Sequence, residues 1–247
     1  MLSSVFAEGI TVISNAAKEP EILDLQNFLN KMGAKIIGAG TDKIQIEGVK
    51  KLKEVSYNIM FDRIEAGTYM CYISSTGGDG EIENIDSKFI VPVINKLEET
   101  GCKIEIKKRK IKLSAPKRLK AVDIKTLPYP GFPTDLQSIF TAMLSTAKGT
   151  SVVVENIFEN RFKNIEELNK MGTKITVEGR SCVIRGTRKL YGTNVKASDL
   201  RGGASLILAA LVAKGSTQIE SSDYILRGYE KLEKKLKIIG ADINIYN

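Results

Sequence analysis

Apolar and polar positions along the chain change period in a fixed order, and the order recurs. Between residues 164 and 186, "NIEELNKMGTKITVEGRSCVIRG", Ile165, Leu168 and Met171 fall at helical spacing and predict an amphipathic helix ending at Gly172. The alternation in "KITVEG" and "SCVIRG" then predicts two strands. Elsewhere "SLILAALVA" (205–213) is apolar on every side, which predicts a buried helix running to a glycine C-cap at Gly215, followed by a short β-branched strand. The predicted unit is helix, strand, helix, strand, strand, entered by an extended segment from the unit before.

Four copies of this unit are present. "LNKMGAKI", "LEETGCKI", "LNKMGTKI" and "LKIIGADI" centre on Gly33, Gly101, Gly172 and Gly240, spaced by 68, 71 and 68 residues. An earlier glycine, Gly9, Gly80, Gly149 or Gly215, marks the end of the first helix in each. So regular a period defines the architecture, and its length and mixed content set it apart from helical and leucine-rich solenoids. The pattern predicts an α/β fold in which three such units surround a shared helical core. Copy one begins at "MLSSVFAEG", read as the inside of a helix from Leu2 to Ala7, whereas its counterparts open at Asp62-Arg63, Asp135 and Asp199-Leu200-Arg201. The expected division is therefore 1–60, one unit of an incomplete lobe whose other units lie upstream, and 61–247, a complete three-unit lobe.

Asp62, Asp135 and Asp199 thus stand at three equivalent helix mouths, where unpaired backbone N–H groups and the helix dipole gather anions. Arg63 and Arg201 follow closely, and Arg227 lies in "YILRGYEK". Taken singly, the aspartates read as N-caps and the arginines as their ion-pair partners. The approach to Asp135, "KTLPYPGFPTDLQ", tilts the balance toward an anion site: three of the chain's six prolines make it a stiff, extended loop, with Thr134-Asp135 as a cap pair. The three acidic corners are expected to converge with the arginines on one electropositive basin.

Composition narrows the chemistry. The chain has no histidine, which excludes Ser-His-Asp and Cys-His catalysis and a histidine-bound metal. Three widely spaced cysteines form neither a disulfide framework nor a zinc pattern and point to a reducing cytosol. No apolar run is long enough to cross a membrane. The net charge of +8 comes with lysine runs such as "KKRKIK", but aromatic residues are 6% and no nucleic-acid recognition motif is present, so a small anionic substrate fits better than nucleic acid.

"NAAKEPEILDLQNFLNKMGAKIIGAGTDKIQIEGV", "DRIEAGT", "AVDIKTLPYPGFPTDLQ", "IFENRF", "ASDLRGGASLILAALVA" and "RGYEKLE" together resemble the UDP-N-acetylglucosamine 1-carboxyvinyltransferases of the enolpyruvyl transferase family, essentially from end to end of the chain. The proline-rich loop ending in PTD separates that group from enolpyruvylshikimate-phosphate synthase. The resemblance implies a pair of inside-out α/β barrel lobes, each of three βαβαββ units with the active site between them, where this chain has one complete lobe and one unit of the second. It implies transfer of an enolpyruvyl group from phosphoenolpyruvate to the 3′-hydroxyl of UDP-N-acetylglucosamine, a step of peptidoglycan precursor synthesis, with no metal or organic cofactor.

Carried over residue by residue, the resemblance makes Asp135, Arg227 and Asp199 the catalytic candidates. Asp135 would hydrogen-bond the hydroxyl and Arg227 hold the phosphoenolpyruvate anion. Ile157, Phe158, Arg161, Arg201 and Glu21 join them as substrate-binding residues, Glu21 from the other lobe. The family's mobile-loop cysteine, its early Lys-Asn pair and its first sugar-nucleotide loops have no counterpart here, so the isolated chain is expected to lack turnover and to need an N-terminal portion as partner. Tyr224 and Leu226 stand where relatives often carry histidine and aspartate. The competing reading is a non-catalytic descendant that binds a sugar nucleotide or a protein.

Overall fold

In the computed structural model, which describes residues Met1–Tyr246, each of the four repeat glycines ends a helix in the left-handed conformation: φ is +102° at Gly33, +100° at Gly101, +94° at Gly172 and +99° at Gly240. Gly172 N donates to Asn169 O (3.0 Å) and Thr173 N to Leu168 O (3.4 Å), and the same pair of bonds closes the other three helices. This double closure satisfies carbonyls that a helix end otherwise leaves open, and glycine enters it without steric cost.

The chain folds as two compact units, Met1–Asp62 with Pro128–Gly131, and Arg63–Leu127 with the chain from Phe132 onward. In the first, strand β1 (Ile10–Ser14), helix α1 (Pro20–Lys31) and strands β2 (Lys35–Ile37) and β3 (Lys43–Glu47) form an antiparallel sheet of order β1-β3-β2. Its core is Val5, Leu29, Ile36, Ile44 and Ile46. The helix expected over Leu2–Ala7 is only a 3-10 turn, Leu2–Ser4. The run is too short to sustain a helix unaided; Val5 alone turns inward, while Leu2 and Phe6 are exposed.

The second unit opens with helix α2 (Arg63–Thr76), β4 (Asp79–Glu83), α3 (Val91–Glu99), β5 (Lys103–Lys107) and β6 (Lys110–Ser114), in a sheet of order β4-β6-β5. Next come β7 (Ile124–Lys125), α4 (Gln137–Leu144), β8 (Thr150–Val154), α5 (Ile165–Lys170), β9 (Ile175–Glu178) and β10 (Ser181–Arg185), in the order β7-β8-β10-β9. The last copy contains β11 (Leu190–Tyr191), β12 (Asn194–Lys196), α6 (Leu200–Val212), β13 (Ala213–Lys214), β14 (Gln218–Glu220), α7 (Asp223–Leu226) and α8 (Leu232–Ile238). Strand β11 pairs in parallel with β13, and β12 with β14. No strand follows α8 among the described residues, so the closing strands expected of copy four are absent there.

Helices α2, α4 and α6 pack on one another. Every residue of α4 is buried, as is α6 from Gly202 to Ala209; α6 is apolar on nearly every face, and the polar side chains of α4, Gln137, Ser138 and Thr141, are bonded to one another within the helix. Two local expectations change. Helix α6 stops at Val212, because residues 213–214 find backbone partners in β11 instead of another helical turn; the left-handed Gly215 (φ +92°) follows that strand. In copy two the left-handed glycine is Gly77 (φ +69°), whereas Gly80 lies inside β4. No helix among the described residues is long and apolar enough to cross a membrane.

Cys71, Cys102 and Cys182 are free and buried. Burial pushes the Cys182 thiol up to about 12, against the opposing pull of the Thr141 hydroxyl and the Val153 backbone. Burial raises Cys71 as well, with Cys102 adding to the shift. A thiol-specific disulfide reagent at pH 8 is therefore expected to leave all three unmodified in the native chain and to label all three in urea; rapid native labelling contradicts this packing. An unfolded thiol titrates near ~8.5, so the Cys182 contribution to stability is complete below that pH and is lost as pH rises toward the folded value.

Candidate functional site

The proline-rich approach doubles back on itself. Gly131 N donates to Pro128 O (2.8 Å), Leu127 N donates to Phe132 O (3.1 Å), and the Tyr129–Pro130 peptide is cis. The path expected to be extended is thus a tight reversal: the prolines restrict φ as anticipated, but the backbone closes on its own hydrogen bonds. It delivers the chain into a 3-10 turn, Thr134–Leu136, ahead of α4. Asp135 does not cap that helix, and neither does any other side chain.

Freed from capping, the Asp135 carboxylate pairs with two guanidinium groups. Arg161 Nη2 donates to Asp135 Oδ1 (3.2 Å), and Arg201 Nε donates to the same oxygen (3.1 Å). Oδ2 receives no hydrogen bond among the described residues, and the aspartate side chain is 42% exposed. One carboxylate oxygen is anchored and the other is left without a protein partner among the described residues. Arg161 Nε is buried without a partner. Its guanidinium lies 5.0 Å from the Phe158 ring centroid, a cation–π contact.

Behind Arg201 runs a buried polar relay. Arg201 Nη1 donates to the Tyr229 hydroxyl (3.0 Å), which lies 3.0 Å from Thr68 Oγ1 in α2. Thr68 uses its own hydrogen on Ile64 O (2.8 Å), so Tyr229 is the donor to Thr68 and presents lone pairs to the guanidinium. Burial opposes the Arg201 charge, but the neighbouring Tyr229 and Asp135 outweigh it and hold the pKa above the ordinary value. Replacing Tyr229 by Phe is expected to cost about 1.5–3 kcal/mol in urea unfolding, the range for a hydrogen bond to a charged group. A loss under about 0.5 kcal/mol means the hydroxyl does not hold Arg201.

Ile157 and Phe158, both exposed, follow β8 and are held by Glu155. Its Oε1 accepts from Ile157 N (2.8 Å), Phe158 N (3.0 Å) and Thr126 Oγ1 (2.9 Å), while Oε2 accepts from Thr134 Oγ1 (2.9 Å). Beside this loop is a cavity of about 500 Å³ lined by Ile157, Phe158, Glu159, Asn160, Arg161 and Arg180.

The remaining candidates are placed as follows. Asp199 caps α6, its Oδ1 accepting from Arg201 N (3.0 Å) and Gly202 N (2.8 Å), so its carboxylate serves its own helix. The cap reading holds for Asp199 and fails for Asp135. Arg227 ends α7, is exposed and makes no ion pair among the described residues. Tyr224 and Leu226 are exposed nearby in sequence. Glu21 sits in the first turn of α1, and Asp62 precedes α2; both belong to the first unit, whereas the Asp135 cluster belongs to the second. Sequence reasoning overlooked Glu155, Tyr229 and Thr68. A carboxylate directly after the apolar run "SVVV" was the one available signal for Glu155.

The sequence and fold of the chain have counterparts among known proteins. Residues 1–236 match the family model of EPSP synthase (3-phosphoshikimate 1-carboxyvinyltransferase), and the chain belongs to that family. It is 57% identical over 244 residues to UDP-N-acetylglucosamine 1-carboxyvinyltransferase 2 of Caldanaerobacter subterraneus subsp. tengcongensis, covering 98% of this chain and 58% of that protein. It is 55% identical over 243 residues to carboxyvinyltransferase 1 of the same organism, with coverage of 98% and 59%. The chain therefore spans about three-fifths of the length of these relatives. The crystal structure of the enolpyruvyl transferase NikO from Streptomyces tendae superposes with a TM-score of 0.86 at 25% identity, over 98% of this chain and 58% of that one. The EPSP synthase from Acinetobacter baumannii, 19% identical, shares the fold with a TM-score of 0.77 over 100% of this chain and 60% of its own.

Proposed function

We propose that this chain carries one side of an enolpyruvyl-transfer site acting on phosphoenolpyruvate and UDP-N-acetylglucosamine, the sugar nucleotide in the names of its relatives. The supporting observation is Asp135, whose Oδ1 is shared by Arg161 and Arg201 while Oδ2 stays open. In this reading Oδ2 accepts the hydrogen of the sugar 3′-hydroxyl and orients its oxygen toward C2 of phosphoenolpyruvate. Addition forms the C2–O bond as a proton is delivered to C3; elimination breaks the C2–O bond to phosphate and returns a proton from C3. No net redox change occurs, and no cofactor enters the step.

The arginines suit the anionic co-substrate. Guanidinium forks bind phosphate and carboxylate bidentately, and the exposed Arg227, which makes no ion pair among the described residues, has donors to offer. Ile157 and Phe158 meet the sugar nucleotide along the cavity wall, Asp199 keeps the Arg201 backbone in register, and Glu21, in the first unit, is read as a further substrate-binding residue. Copies two to four form one inside-out barrel lobe, and copy one belongs to a second.

Calorimetric titration of the 247-residue chain with each substrate tests the binding half of this reading. Phosphate release, with and without the segment of a Caldanaerobacter relative that lies outside the match, tests the chemistry. UDP-N-acetylglucosamine-dependent release in the presence of that segment is the expected result. Sugar-nucleotide binding with no release under either condition favours a non-catalytic binding protein; no binding of either substrate overturns the reading altogether.

A further inference from the structure

Glu155 is 1% exposed and meets no basic side chain within ion-pair distance among the described residues. A buried carboxylate without a cation has to be satisfied by neutral donors, and here there are four. Two are backbone amides, Ile157 N and Phe158 N; two are hydroxyls, Thr126 Oγ1 and Thr134 Oγ1. Thr126 is itself locked, since its Oγ1 accepts from Asn156 N (2.9 Å) and its carbonyl accepts from Asn156 Nδ2 (3.1 Å). These donors belong to different limbs. Thr126 and Thr134 flank the proline reversal, and Thr134 immediately precedes Asp135. Ile157 and Phe158 begin the loop that leads to Arg161.

We infer that Glu155 is a positioning residue for the Asp135 centre: one buried carboxylate sets the turn bearing Asp135 and the loop bearing Arg161 in a common register. This rests on the reading of Asp135 as the reacting carboxylate, but its geometry can be tested without substrate. Fold stability alone needs buried donors satisfied, not donors from both limbs of one ion-pair cluster. Each oxygen is committed to a different part of that arrangement, with the loop amides and Thr126 on Oε1 and the Asp135 turn on Oε2.

The test follows the Arg201 Nε–H signal, the proton donated to Asp135, by ¹⁵N NMR of the full chain. Thr134→Val removes only the Oε2 bond and is expected to speed hydrogen exchange of that proton about tenfold or more, the factor carried by one hydrogen bond to a charged group. Glu155→Ala is expected to speed it further. Glu155→Gln is expected to stay within about threefold of the parent, because the amide oxygen keeps the three donors on Oε1 and the amide nitrogen donates to Thr134 Oγ1. A merely structural role lowers the melting temperature and leaves this proton protected. Exchange within about twofold of the parent in Thr134→Val overturns the inference even if Glu155→Ala fails to fold. Affinity for UDP-N-acetylglucosamine is expected to fall in the same order. If the parent chain binds none, the transfer reading fails while the exchange data still decide the positioning role.

Discussion

Asp135→Asn is expected to lower enolpyruvyl transfer by about 10²–10⁴-fold in the phosphate-release assay, the range attributed to a positioned acid–base group. The asparagine Oδ1 still accepts from Arg161 Nη2 and Arg201 Nε, so the guanidinium pair stays near its present geometry. What disappears is the unpartnered oxygen to which the proposed function assigns the hydroxyl proton, replaced by an amide that donates. The loss therefore falls on kcat, with substrate affinity changed by less than about tenfold. Asp135→Ala differs in kind. It leaves two largely buried cations without their anion, so the chain loses stability as well as rate. A rate within about fivefold of the parent in Asp135→Asn removes the aspartate from proton transfer.

Phe140→Ala is expected to destabilise the chain by about 3–5 kcal/mol, which in a domain of this size lowers the melting midpoint by roughly 6–20 °C. Phe140 is fully buried in α4, and its ring meets that of Phe132 edge-to-face at 4.9 Å and 85°. Truncation opens a cavity in the packing of α4 against α2 and α6 and strips the aromatic partner from Phe132. The Phe132 carbonyl is also where the proline reversal closes, accepting from Leu127 N. The damage should thus reach the Asp135 turn, visible as faster exchange of the Arg201 Nε–H. Ile238→Ala serves as control: that residue is 84% exposed, and its loss should stay within about 0.5 kcal/mol. A midpoint shift no larger than the control's removes α4 from the core.

Asp135 and Asp199 show how far a sequence reading of the site extends. Both were legible as acidic residues at helix mouths, and both were open to a capping or a ligand-facing interpretation. Their residue types are identical, and so are their places in the repeat. The structure separates them through backbone geometry: Asp199 sits in an extended cap position with two amides in reach, while Asp135 lies inside a 3-10 turn with arginines from two other segments beside it. Glu155 and Tyr229 were out of reach for a related reason. Their partners Thr126, Thr134, Thr68 and Arg201 are 21 to 161 residues away in the chain, and no local pattern records such distances.

Residue order alone established the four-fold repeat, the glycines that terminate its second helices and the buried character of α6. Those features depend on local torsions and on the period of apolar side chains, which neighbouring residues largely dictate. Folding in three dimensions decided which carboxylate caps a helix and which holds arginines, where α6 gives way to β13, and how the prolines reverse the chain. Each of these was a competition for hydrogen-bond partners: Asp135 and residues 213–214 found theirs in distant segments that only tertiary packing brings near, whereas the Asp199 cap and the proline reversal closed on neighbours whose backbone geometry no residue pattern records.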